Sequence, residues 1–204
     1  MTWCLVGSEM CIRDRGTGET LIYPFYSAQN GNNTLINVAN ASSGHKAVKV
    51  RILEAQNSQE VLDFNLYLSP EDHFSFSISA TEDGGAKIVT GDNSCSVPAI
   101  PAGGAEFSTL KIGGSLERTQ VGYVEIIEMG QLDADSAPII DTQGLADASR
   151  AAINAAAAIT HGGDGVPANC SILVDAWSRY SGVDGVWLAE SKTTNLTGDS
   201  EFLT

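Results

Sequence analysis

The residues of this chain whose types could do chemistry are three histidines, a short acidic–histidine triplet, an acidic loop and a late group of aromatic side chains. His45, His73 and His161 each stand beside a turn or an element end, and none lies at i, i+4 from another. Zinc needs convergent His, Cys, Asp or Glu ligands at suitable spacing, so the reading is three loop or strand-face histidines. Glu71-Asp72-His73 invites proton transfer, because carboxylates tune a neighbouring imidazole. Adjacent strand residues face opposite ways, however, and no activated nucleophile stands near. A polar turn between two strands is the expectation. Residues 161–165 (HGGDG) follow a predicted helix, whereas a phosphate-cradling loop precedes one. Asp133, Asp135 and Asp141 share one acidic loop of the kind calcium uses, but without EF-hand spacing. Trp177, Tyr180 and Trp187 could stack on sugar rings or could simply pack, as large aromatics do. Four Asn-x-Ser/Thr triplets, at Asn32, Asn40, Asn169 and Asn195, match the glycosylation pattern and are read as chance.

The elements that would position these groups are mostly strands. Residues 46–53 alternate Val48, Val50 and Ile52 against Lys49 and Arg51. Residues 61–68 set Leu62, Phe64, Leu66 and Leu68 opposite Asp63, Asn65 and Tyr67, and residues 73–79 set Phe74, Phe76 and Ile78 opposite His73, Ser75, Ser77 and Ser79. Period-2 alternation marks half-buried strands. Further strands are predicted at 20–26, with Pro24 marking an edge or bend, and at 34–40, 86–90, 106–112 (weaker) and 120–129. Asn30-Gly31 is a hairpin-turn signal, since both residues tolerate positive φ. Residues 130–144 read as an acidic loop. Residues 145–160 are Ala-rich and form the one predicted helix, ended by Gly162-Gly163.

Composition narrows the classes. Against 11 basic residues stand 25 acidic ones, a formal charge of -14. The basic residues are scattered, which argues against a nucleic-acid partner. No run of 18 apolar residues exists, so no transmembrane helix is predicted. Residues 1–15 (MTWCLVGSEMCIRDR) resemble the translation of a sequencing adapter and are set aside from the fold. Of the four cysteines, Cys95 and Cys170 then remain, each among turn formers. In an acidic Gly- and Ser-rich β protein, they suggest one disulfide and an oxidising compartment, with two free thiols as the alternative.

The segments LIYPFYSAQNGNNTLINVAN, KAVKVRILEAQNSQEVLDFNLYLSPEDHF, DNSC with its following Pro-x-x-Pro, and YVEIIEM carry a resemblance. From Leu21 through Trp177 the chain resembles a group of uncharacterised exported proteins of marine and other proteobacteria. The resemblance implies a signal peptide, cysteines where Cys95 and Cys170 fall, and continuation past Thr204. It implies no activity, catalytic residue or cofactor.

The expected fold is mainly β: an immunoglobulin-like antiparallel β-sandwich over residues 16–130. An acidic loop and Ala-rich helix over 131–177 pack on it as an insertion, and 178–204 form a truncated tail. The expected function is a non-catalytic exported envelope or cell-surface protein with a structural or adhesive role and envelope or surface partners. No catalytic, cofactor-binding or metal-ligating set is assigned. One alternative is a carbohydrate- or ligand-binding module with Trp177, Tyr180 and Trp187 as its platform. The other is an enzyme whose site lies in the helical insertion or in a missing C-terminal part.

Overall fold

Why the apolar side chains at every second position end up in one core is visible in how the strands pair. The computed structural model describes residues 18–132, 156–171 and 196–197. Ten strands run in chain order: β1 (Thr20–Ser27), β2 (Thr34–Ala39), β3 (His45–Glu54), β4 (Glu60–Leu68), β5 (His73–Ala80), β6 (Ala86–Val89), β7 (Cys95–Val97), β8 (Ala105–Glu106), β9 (Val121–Leu132) and β10 (Leu196–Thr197). One sheet has the order β1-β9-β3-β4-β7, with β10 added on β9, and the other has the order β2-β5-β6-β8. Every ladder among them is antiparallel. The protein is a mainly β, two-sheet sandwich.

The alternation works as its period demands. Val50, Ile52, Phe64 and Leu66 of the six-stranded sheet meet Phe74, Phe76 and Ile78 of the four-stranded one in a single apolar cluster. Phe64 and Phe74 touch edge to face across the two layers, with ring centroids 6.3 Å apart. Each such side chain, fully buried, contributes about 1.5–3 kcal/mol. Tyr26 closes one end, its ring edge-on to Phe107 and its hydroxyl donating to the Thr119 carbonyl at 2.9 Å. Gly122 lies under that ring. A Cβ there would sit 1.9 Å from the Leu53 carbonyl oxygen and 2.7 Å from the ring, so the strand needs glycine.

Four sequence expectations are corrected. Asn30 and Gly31 do have positive φ, 55° and 77°, but the turn joins no hairpin. β1 pairs with β9 and β2 with β5, so this turn carries the chain from one sheet to the other. Turn chemistry reports local backbone freedom, not which strands the turn connects. The strand predicted at 106–112 shrinks to β8; Leu110–Ile112 form a 3-10 turn ended by Gly113 in the left-handed region. β9 continues to Leu132, so the first residues assigned to the acidic loop are strand. β7, only three residues long, pairs with β4 where the sequence showed just a turn leading into Cys95. The Pro24 expectation agrees with the structure: the β1–β9 register slips between Tyr23 and Tyr26.

The outer face of the six-stranded sheet is not uniform. Gly130, Ala47, Tyr67 and Cys95 are neighbours in one row across β9, β3, β4 and β7. All four are buried, although this face points away from the core. Further along lie charged rows, where Arg51 bridges Glu60 and Glu125 and Lys49 pairs with Asp63. The buried row is where residues 156–171 attach. Cys170 is bonded to Cys95 with their Cα atoms 5.3 Å apart, and Ala156, Ala158 and Ile159 are themselves buried. Of the predicted helix, residues 156–159 are helical and 145–155 lie outside the described residues.

Candidate functional site

β3 runs between two polar clusters, one at each end. At its C-terminal end Glu54 is withdrawn from water yet charged. Its carboxylate accepts backbone N–H groups from Gln56 (2.9 Å), Asn57 (3.0 Å) and Gln59 (3.1 Å). Arg118 forks onto it from the 3-10 turn Glu117–Gln120, at 3.1 Å through Nε and 2.9 Å through Nη2. Burial pushes the Glu54 carboxyl up, but the three backbone donors and the guanidinium outweigh it and hold its pKa at about 2. With these donors filled and its charge matched, the cluster is a clamp that ties the β3–β4 turn to the approach to β9.

At the other end the centre is neutral. Asn40 is buried, and its amide donates to the carbonyls of Gly44 (2.7 Å) and Ser69 (2.8 Å). Its Oδ1 accepts from the Ser42 backbone (3.1 Å) and hydroxyl (2.7 Å). The triplet Asn40-Ala41-Ser42, which matches a glycosylation pattern, is therefore an Asx turn with its amide occupied. The turn from Ser69 to Asp72 folds on itself, with Asp72 Oδ2 accepting the Ser69 N–H at 3.2 Å and Glu71 at φ 57°. These two loops, one from each side of β3–β4, dock together through Asn40 N–H to Asp72 carbonyl (2.8 Å) and Glu71 N–H to Ser42 carbonyl (3.2 Å).

Onto this end comes a third piece of chain. His161 Nδ1 lies 3.2 Å from Ser69 Oγ and 3.5 Å from Asp72 Oδ2. His45 Nε2 lies 2.9 Å from Thr160 Oγ1, and that hydroxyl donates its one proton to the Ala156 carbonyl at 2.8 Å. Thr160 must then accept, so His45 carries its proton on Nε2. The loop after His161 is closed by Gly162 N–H to Val166 carbonyl (2.9 Å) and by a bridge between His161 and Pro167.

The structure thus brings Asp72 and His161 together, far apart in the chain. His73 starts β5 and is exposed on its own. Serine, histidine and aspartate side by side suggest a nucleophilic relay, but the ring nitrogens decide otherwise. A relay needs the carboxylate on one nitrogen and the hydroxyl on the other. Here both lie on Nδ1. A carboxylate beside that nitrogen favours N–H there, which makes Ser69 Oγ an acceptor and not a deprotonated nucleophile. Among the described residues no three His, Cys, Asp or Glu side chains converge as metal ligands. Asp133, Asp135 and Asp141 of the acidic loop, and Trp177, Tyr180 and Trp187 of the aromatic platform, lie outside the described residues.

Ser69, Thr160 and the Glu54–Arg118 clamp were not singled out from the sequence, and Asn40 was noted only as part of a chance glycosylation triplet. Asn-x-Ser before a strand, read as an Asx turn, would have flagged Asn40; nothing in the order of residues pairs Glu54 with Arg118. Among the described residues no helix is long and apolar enough to cross a membrane. No family model, curated protein or solved structure matches this chain.

Proposed function

We propose that the protein is an exported, non-catalytic envelope or cell-surface module with a structural or adhesive role. The observation that carries this reading is the seam formed by the two edge strands β1 and β2. Ser27 N–H donates to Thr34 Oγ1 at 2.9 Å and Tyr23 Oη donates to the Asn37 carbonyl at 2.7 Å, so the edges of the two sheets run together. Flanking this seam, Ile22, Phe25 and Leu35 are 63%, 64% and 74% exposed. Edge strands offer unpaired backbone groups to a partner strand, and large exposed apolar side chains beside them suit a protein-facing surface. The Cys95–Cys170 bond is compatible with an oxidising compartment. The test is fractionation of the full-length protein in its host, with and without Ile22→Lys, Phe25→Lys and Leu35→Lys together. The native chain is expected in the envelope or surface fraction and the variant, still folded, is expected to be released from it. Recovery in the cytoplasmic fraction, or turnover of esters, glycans or peptides by the purified protein, would overturn the reading.

The catalytic alternative has one observation in its favour, the meeting of Asp72 with His161. It is weakened by the shared nitrogen described above. The platform of Trp177, Tyr180 and Trp187 stays a second binding proposal, tested by fluorescence titration against a glycan panel.

A further inference from the structure

At the Asn40 end a cleft enters the sandwich, bordered by residues of both sheets and by the loop Asn40–Ser42. The slot measures about 310 Å³. Leu21, Val48, Leu68 and Ile126 from the six-stranded sheet and Val38 from the four-stranded one form its apolar walls. Each of these five is a strand residue, so the walls are in place before anything binds. The same slot is bordered by the ion pair of Lys46 and Glu128, whose side chains are only 19% and 15% exposed. A water molecule occupies about 30 Å³ of liquid, which gives the slot room for about ten non-hydrogen atoms. That places it at the small end of ordinary ligand sites, which are mostly apolar with a few placed polar groups.

We propose that this slot binds a small neutral amphiphile, with a straight apolar body between the sheets and a single hydroxyl or primary amide head against Lys46 and Glu128. The head group follows from the ion pair. A carboxylate head would draw Lys46 away from Glu128, and an amine would draw Glu128 away from Lys46. Either leaves one half-shielded charge without its partner, which is costly away from water. A hydroxyl or amide both accepts and donates. It accepts a hydrogen bond from one of the three Lys46 N–H groups and donates one to a carboxylate oxygen while the pair stays together. The formal charge of -14 adds a general penalty for an anionic ligand.

The test is an amide-shift titration of the isotope-labelled full-length protein with octanol, octanoate and octylamine. Octanol is expected to shift Val38, Ser42, Val48 and Ile126 saturably, with affinity about tenfold above that for either charged analogue. Leu21→Trp fills the slot from a half-buried strand position and is expected to abolish those shifts while the remaining spectrum stays that of the sandwich. Should that variant fail to fold, Leu21→Phe is expected to weaken octanol binding in the same direction. Absence of a saturable shift with any of the three overturns the site. Equal or tighter binding of octanoate or octylamine overturns the neutral head, and octanol shifts that survive in folded Leu21 variants place the binding elsewhere.

Discussion

The two ends of β3 solve the same problem in different ways. At the Glu54 end a buried charge is matched by donors from the adjoining turn, Gln56 to Gln59, plus one arginine. At the Asn40 end a neutral amide gathers two loops, and a histidine from far along the chain joins them. Most of the first cluster forms as soon as the β3–β4 hairpin does. The second requires both sheets and residues 156–171 to be in place. A clamp built mostly from local donors depends on distant chain only through Arg118, whereas a junction of three distant segments reports whether the whole has assembled.

The largest effect expected from breaking this contrast is at the Asn40 side. Cys95→Ser with Cys170→Ser releases a cross-link spanning 75 residues, worth about 4 kcal/mol in the loop-entropy account. Denaturant titration should show that loss, and amide exchange at Gly162 and Ala168 should rise while Gln56 and Asn57 stay protected. Thiol labelling of the unreduced, denatured native chain should leave both cysteines unmodified. Next comes Glu54→Leu, which leaves three N–H groups without their acceptor and Arg118 with Asn57 Oδ1 but no carboxylate, and should cost about 3 kcal/mol; an unchanged denaturation midpoint would show the clamp to be idle. Asn40→Ala removes four side-chain hydrogen bonds, to two carbonyls and to the Ser42 N–H and hydroxyl, and should cost about 2 kcal/mol by the same measurement.

Acid separates the ends more finely. The Glu54 pKa is lowered from 4.5 to about 2 by folding, so the folded state binds fewer protons there than the unfolded state. Its contribution is complete above about pH 4.5 and is lost as pH falls toward 2. The melting temperature of the native protein should fall across that window, and Glu54→Gln should flatten this part of the curve. The smallest effect is His161→Ala. Its contacts, 3.2 Å to Ser69 and 3.5 Å to Asp72, are long and only partly buried, so about 0.5–1 kcal/mol is expected, seen first as faster exchange at Gly162.

The strands around the core were legible because their signal is local and repeated. Val48, Val50 and Ile52, or Phe74, Phe76 and Ile78, can share a face only if the backbone is extended. The disulfide was legible from composition, as a pair left among turn formers. Sheet membership was not legible: Asn30-Gly31 looks the same in a hairpin and in a crossing between layers. The weak strand at 106–112 failed for a related reason. Phe107, Leu110 and Ile112 are apolar, but past the bond from Phe107 N–H to the Ala86 carbonyl the segment leaves β6 and Leu110–Ile112 turns instead. The buried outer row of Gly130, Ala47, Tyr67 and Cys95 was invisible too. Alternation assigns those positions to the polar side, and only a segment docked from elsewhere makes them interior.

What the residues indicated alone was the β character, the inward face of the central strands and Cys95 and Cys170 as candidates for one disulfide. Each depends on neighbours in sequence or on composition. What the tertiary structure decided was which strands share a sheet, the closing of the Cys95–Cys170 bond, the meeting of Asp72 and His161, the matching of Glu54 by Arg118 and the slot between Val38 and Ile126. Those are distances between residues dozens of positions apart, and no local preference of the backbone encodes them.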